Sequence, residues 1–596
     1  MEERDLRNMI ADVKGGQLSR RNFIRRMVAA GLTAPMAGLM LADAGLAAAN
    51  PYAAYKPTKA GGGGTLKILF WQAVTLLNPH FAVGTKDQAG SRIFYEPLAG
   101  WTEDGELYPV LAAEIPSKEN GGLAADGMSV TWKLKKGVKW HDGQPFTADD
   151  VVFNWEYAGN PATAAVTIGP YRNVKVEKVD DFTVRVLFEK PTPFWADTYV
   201  GQYGMIVPKH LFKDFVGDKS RDAPANLKPV GTGPYKFVDF KPGDSLRAER
   251  NPDYHLPNRP YFDVVEIKGG GDAVSAARAV MQTAEYDYAW NMQVEDEILK
   301  RLEAEGKGHV VMAWGGGNVE YLLLNATDPN VEIDGERSSI KTKHFAFSDP
   351  AVVKAMQLLA DRQSIQQFIY GRLARATGNV INGPPQFVSK SSSWEFNVAK
   401  AEKLLEDAGW KKGSDGIRAK DGKKLKFLYQ TSINAPRQKT QAIIKQAAQK
   451  VGIDLELKSV SASVFFSSDV ANPDTYTKFY ADMEMYTTSM PQPDPEQFMR
   501  LFTSWEVSSK ENKWQGRNVT RWQNADFDAL YKAAQKELDP VKRADLFVKM
   551  NDLVVANNCV PLLFRSQPNA ISNKLTVLES GWDAILCSLS EWYREA

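Results

Sequence analysis

The sequence predicts a mixed α/β protein with more than one packed core, and three observations carry that expectation. A β-α-β unit runs through consecutive segments: a strand at 424–430, a helix at 438–450 and a second strand at 453–460. Residues 128–134, 174–179 and 183–187 place apolar side chains at every second position, the pattern of an antiparallel sheet with one wet face. The chain has 596 residues. A single hydrophobic core stops growing near ~250 to 300 residues, so two or three packed units are expected.

The elements follow in order. Residues 19–24 read SRRNFI and precede a mild apolar stretch at 27–42 containing Gly31, Pro35 and Gly38. That stretch is too short and too weakly apolar for a bilayer, which takes about 20 strongly apolar residues. Small-residue A-x-A sites follow at Ala42-Asp43-Ala44 and Ala47-Ala48-Ala49. Together they resemble a twin-arginine export signal over 1–49, cleaved after Ala44 or Ala49, with a soluble periplasmic product. A chance arginine pair on an amphipathic helix is the alternative, and it needs independent features to coincide. No Cys follows the apolar stretch, so no lipid anchor is expected there.

Glycines 61–64 form a flexible tether, and 65–71 (TLKILFW) starts the fold as a buried strand. Residues 146–157 make a helix with Thr147 as N-cap and Asp149 and Asp150 in the first turn, where carboxylates suit the positive helix end. A helical block covers 350–370 and stops at Gly371; another covers 397–408 and stops at Gly409. No internal repeat is visible, which excludes solenoids and propellers.

Composition narrows the partners. With 73 basic against 72 acidic residues, the chain lacks the electrostatic footprint of a nucleic-acid or anionic-membrane binder. A small-molecule partner fits better. The 15 Trp suit a cleft lined by flat side chains, although any one Trp is more often core.

A search for catalytic chemistry finds no nucleophile elbow, Walker loop, zinc spacing or dinucleotide fingerprint. The histidines are scattered, so no metal or cofactor is expected. Cys559 and Cys587 fit buried free thiols better than a disulfide near the C-terminus. Gly231-Thr232-Gly233-Pro234 looks like half a phosphate loop, but Pro234 lacks the N–H and a strand pattern follows, so a tight turn is the better reading. His141 beside Asp142 offers acid and base, yet it stands in a turn with no nucleophile tied to it.

Several segments, taken in order, carry a family resemblance: 134–143 (LKKGVKWHDG) running into 146–151 (FTADDV), 229–235 (PVGTGPY), 250–254 (RNPDY), Asp361-Arg362, 401–410 (AEKLLEDAGW) and 560–562 (VPL). Spread over about 64–596, they make the chain resemble the family 5 extracellular solute-binding proteins, which serve peptide, nickel, opine and oligosaccharide ABC importers. The resemblance implies a two-lobed periplasmic-binding-protein fold with a hinge, mixed sheets and an inserted subdomain. Lobe I would comprise 62–95, 229–318 and 555–596, the insertion 96–228, and lobe II 319–554. No enzymatic activity and no cofactor are implied, and a monomer is expected. The implied partners are a small-molecule ligand (a peptide, an opine-like conjugate or an oligosaccharide), ABC permease subunits and the twin-arginine export machinery.

By position, the resemblance also implies ligand contacts. They are Trp71 and Gln72 after the first strand, Trp290 and Asn291 after Ala284-Glu285-Tyr286-Asp287, Gln430, Ser432 and Asn434 after Tyr429, and Tyr486, Thr488 and Ser489 before Asp494-Pro495. Trp supplies a stacking plate and Asn hydrogen bonds in both senses. Trp290→Ala is expected to weaken binding with little change in fold. Two departures bear on the ligand: Pro491 stands where dipeptide-binding relatives carry an Asp for the ligand amino group, and Asn434 where they carry an Arg for its carboxylate. Desolvating a ligand charge without its partner costs about several kcal/mol, so a dipeptide is not expected. Two other readings stand beside this one: a chemosensory or chaperone-like interaction protein, and a twin-arginine-exported hydrolase, which would need a reactive cluster in the cleft.

Overall fold

The computed structural model describes residues 55–102, 105–315, 318–490 and 492–595, with scattered positions between 3 and 46. Arg20, Arg21, both A-x-A sites, Gly316, Gly317 and Pro491 lie outside the described residues. Among the described residues no helix is long and apolar enough to cross a membrane.

Two mixed sheets organise the chain. The first has the order Gly308–Ala313, Gln567–Ser572, Tyr288–Ala289, Thr65–Phe70, Val264–Gly269, Ser245–Arg250, Tyr235–Lys241. Thr65–Phe70 runs parallel to both neighbours, and its alternation buries Leu66, Ile68 and Phe70 completely. The second has the order Ala374–Ala376, Cys559–Arg565, Val319–Leu324, Met483–Thr488, Lys426–Ser432, Asp454–Val460. The β-α-β unit forms one edge of it, with Lys426–Ser432 parallel to Asp454–Val460 across helix Ala435–Lys450. A separate antiparallel sheet of Ser129–Lys133, Thr183–Phe188 and Val174–Asp180 stands beside helix Ala148–Gly159 and its Thr147–Asp150 capping box.

The chain passes from the first sheet to the second between Ala313 and Val319 and returns at Ser566. Assigning 555–596 wholly to the first lobe is therefore corrected, because Cys559–Arg565 is a strand of the second sheet. Its CVPLLFR run is almost continuously apolar, as a strand covered on both faces must be, and it pairs with Val319–Leu324 and Ala374–Ala376. Beside the first crossing two bare backbones touch: a Cβ on Gly581 would lie 2.4 Å from the Gly315 Cα.

The helical block expected over 350–370 is broken in the structure. Pro350–Leu359 ends at Ala360, Asp361 caps Arg362–Ile365, and a π-helical turn, Gln366–Tyr370, follows. The buried Arg362 guanidinium holds the break by donating to the carbonyls of Gln357, Ala360, Thr377 and Pro561. Cys559 is buried, Cys587 is partly buried, and neither is in a disulfide.

Two sequence motifs meet in the first lobe. The Gly231 N–H donates to His141 Nδ1 at 3.0 Å, and His141 Nε2 donates to the Gly233 carbonyl at 3.0 Å. With both nitrogens occupied the ring is neutral, and burial brings its pKa down to about 4. Gly231 must be bare here, since a Cβ would lie 1.8 Å from the Phe94 carbonyl oxygen.

Candidate functional site

Between the sheets the described residues line a cleft in which three chambers adjoin. Their walls come from both lobes and from the crossing segments. The site is therefore built jointly by the two lobes.

The first chamber is lined on one side by Gln72, Trp290, Asn291 and Asn569, and on the other by Arg437, Thr487, Ser489, Asn318 and Arg565. Asn291 adopts the left-handed region (φ 60°), which Asn tolerates better than most side chains. Its N–H donates to Asn569 Oδ1 at 2.9 Å, its side-chain amide donates to Gln72 Oε1 at 3.1 Å, and its carbonyl accepts from the Trp71 indole at 2.8 Å.

A buried charge cluster stands opposite. Glu320 and Thr487 are cross-strand partners. Arg437 Nε donates to Glu320 at 2.6 Å and Arg565 Nη1 donates to it at 2.9 Å. The Thr487 hydroxyl donates to Glu320 and accepts from Arg565 at 2.6 Å and Arg437 at 3.1 Å. Burial pushes the Glu320 carboxyl up, but Arg437 and then Arg565 outweigh it and hold the pKa at about 2. Two guanidiniums thus share one carboxylate at the chamber wall. Such forks suit a bidentate carboxylate ligand.

The second chamber joins the first through Thr487, Ser489 and Phe466, and carries Tyr486, Thr488 and Tyr476 against Gln202, Tyr203 and Asp583. The Tyr476 and Tyr486 rings lie 4.8 Å apart, and Thr488 Oγ1 is 2.8 Å from the Tyr321 hydroxyl. Arg517 lines both the second and third chambers.

Of the contacts expected from the sequence, Gln72, Trp290, Asn291 and Ser489 stand on the first chamber's wall, and Tyr486, Thr488 and Ser489 on the second's. Trp71, Gln430, Ser432 and Asn434 stand behind the walls. Trp71 holds Asn291 from behind, Gln430 donates to the buried Glu484 at 3.0 Å, and Ser432 accepts from Arg437 at 2.8 Å. Asn434 caps helix Ala435–Lys450 and meets Gln293 of the first lobe through its amide. The expected loss of arginine at this loop is corrected, because Arg437, in the first turn of that helix, brings a guanidinium to the wall. Sequence reading missed Glu320, Arg437 and Arg565. Glu320 within VEYLLL and Arg565 ending CVPLLFR were available signals, since a lone charge in a buried apolar run needs a partner. Among the described residues no cluster of His, Cys, Asp and Glu could hold a metal ion.

The profile of the family described as Bacterial extracellular solute-binding proteins, family 5 Middle, matches residues 106–510. The chain is 28% identical over 518 residues to the oligopeptide-binding protein AppA of Bacillus subtilis (strain 168), covering 85% of this chain and 86% of that protein. It is 24% identical over 519 residues to the glutathione-binding protein GsiB of Shigella boydii serotype 4 (strain Sb227), covering 84% and 89%. Among solved structures, AppA from Bacillus subtilis in complex with a nonapeptide superposes with a TM-score of 0.77 at 24% identity, over 91% of this chain and 100% of that one. NikZ from Campylobacter jejuni in complex with Ni(L-His) gives 0.74 at 22% identity, over 89% and 99%. These likenesses establish the two-lobed fold, and the family consists of solute-binding proteins, not enzymes. The chain belongs to the family 5 bacterial extracellular solute-binding proteins.

Proposed function

We propose that the protein captures a peptide-like solute bearing a carboxylate between its lobes and delivers it from the periplasm to an ABC permease. The observation that carries this reading is the Arg437–Glu320–Arg565 cluster on the cleft wall, which offers guanidinium donors in excess of its single carboxylate. The names of relatives, an oligopeptide-binding and a glutathione-binding protein, point the same way. Arg437 removes half of the argument against a dipeptide, because a ligand carboxylate has a partner. Pro491 remains the reason to expect no carboxylate at that position for the ligand amino group. Arg20-Arg21 and the A-x-A sites support export.

A thermal-shift screen of the purified protein across peptides, opines, sugars and metal chelates, followed by calorimetric titration, tests the reading. Peptide acids are expected to stabilise the folded state, by about 2.7 kcal/mol at a hundredfold excess over Kd. Stabilisation confined to sugars or chelates, or turnover of any candidate, counts against it.

A further inference from the structure

We propose that the cleft takes a dianionic solute, with one acidic group at Arg437 and Arg565 and a second at Arg517, in a separate subsite of the second chamber. This rests on the solute-capture reading and specifies its ligand class.

The argument begins with the charges on the cleft walls. Lys86 is buried and already paired, with Asp87 at 2.7 Å and the Thr75 hydroxyl at 2.7 Å. Asp583, on the second chamber's wall, accepts from the backbone N–H groups of Trp101 at 3.2 Å and Ala584 at 2.6 Å. Burial raises the Asp583 carboxyl above its ordinary range in spite of the field of the buried Arg92. Both groups are satisfied within the protein.

Arg517 is different. It is half-buried, and its hydrogen-bond partner is neutral: Nη1 donates to the Tyr203 hydroxyl at 2.9 Å, and the guanidinium lies 5.4 Å from the Tyr203 ring centroid. Among the described residues no carboxylate lies within 4.0 Å of it. Glu506, whose field reaches Arg517, is itself bridged by Arg172 at 3.2 Å. A guanidinium withdrawn from water and left with a neutral partner is completed by an anion.

The two arginine sites stand in neighbouring chambers. The two chambers adjoin and share Thr487, Ser489 and Phe466 in their linings, with Arg565 on the first and Arg517 on the second. Tyr476 and Tyr486 line the second chamber and suit the body of an extended solute. A short peptide or conjugate with an acidic group at each end matches this arrangement.

The test is calorimetric titration of the full-length mature protein with glutathione and γ-glutamylalanine, each beside its monoethyl ester, together with Ala-Ala-Ala. Diacids are expected to bind at least about tenfold tighter than their monoesters. Arg517→Met should collapse that preference, and Arg517→Lys should restore part of it. Equal affinity for diacids and monoesters in the native protein overturns the proposal and needs no variant that must fold. An unaltered preference in a folded Arg517→Met protein also overturns it. If Ala-Ala-Ala or another single-carboxylate peptide binds while no diacid does, the second subsite falls and solute capture stands. If no peptide, sugar or conjugate binds at all, the capture reading falls and this one with it.

Discussion

Arg372 of the second lobe is bound twice to Asp296 of the first: its Nε donates to Oδ1 at 2.8 Å and its backbone N–H donates to Oδ2 at 3.1 Å. Its Nη2 also reaches Glu303 at 2.7 Å, and Lys439 pairs with Glu295 at 2.7 Å nearby. Gly371 is bare at this junction because a Cβ would stand 2.3 Å from the Asp296 carboxylate. These contacts clasp the two lobes together beside the cleft.

Arg372→Ala should therefore favour the open form. The side chain is 35% exposed, so solvent screens the pair and the loss is about 1 kcal/mol. Ligand affinity is expected to fall about fivefold, and small-angle scattering of the unliganded variant should give a larger radius of gyration. Unchanged affinity and scattering would remove the clasp from the closure equilibrium.

Glu320→Gln should cost more, because Arg437 and Arg565 would then face each other, buried, without their shared carboxylate. The expected loss is about 3–5 kcal/mol of unfolding free energy. Since the carboxyl is held at about 2 against an ordinary value of 4.5, its contribution is fully present above pH 4.5 and disappears as the pH falls toward 2. Denaturant melts of wild type and variant should converge across that window. A gap that stays constant down to pH 2 would mean that the carboxylate's charge is not what the variant loses.

A second acid transition comes from histidines. His80 Nδ1 lies 2.6 Å from the Thr167 hydroxyl and Nε2 lies 2.9 Å from Asn154 Oδ1. Burial pulls His80 down to about 4 in spite of the Asn154 bond, and His141 is likewise brought to about 4. Both stay neutral in the fold but take up protons near pH 6.5 when unfolded. Their stabilising effect is thus complete above pH 6.5 and is lost as pH falls to 4, at up to about 1.4 kcal/mol per pH unit for each ring. Stability measured between pH 7 and 4 should show this slope, and His80→Gln should remove about half of it. A flat wild-type profile contradicts the assignment.

The parts of the fold that face only their own sequence neighbours were legible in the chain. Thr147 caps its helix, Asn397 and Gly409 bound helix Val398–Asp407, and the 424–460 segment forms its β-α-β unit, because caps and periodicity act over a few residues. What crosses the fold was not. Glu320, Arg437 and Arg565 are set together by strand register and by the Asn434 cap, not by any local pattern. Trp71 and Gln72 stand at a bend just past the end of strand Thr65–Phe70, and the Trp71 ring packs into the core behind Asn291. Only Gln72 reaches the wall.

Trp290 brings the two levels together. Its side chain is 5% exposed, its ring centroid lies 5.0 Å from that of Phe70, and its backbone N–H donates to the Leu69 carbonyl at 3.0 Å. It is chamber wall and core at once, so the expectation that Trp290→Ala leaves the fold little changed does not fit its burial. Truncation should empty a packed site and cost about 3–5 kcal/mol, while also removing the stacking plate from the cleft. Trp290→Phe separates the two effects, because it keeps much of the volume and a smaller flat face. Denaturant melts should rank wild type, Phe and Ala in falling stability, with ligand affinity falling in the same order when extrapolated to the folded fraction. An alanine variant as stable as wild type would show that the indole packs loosely against Phe70 and serves the ligand alone.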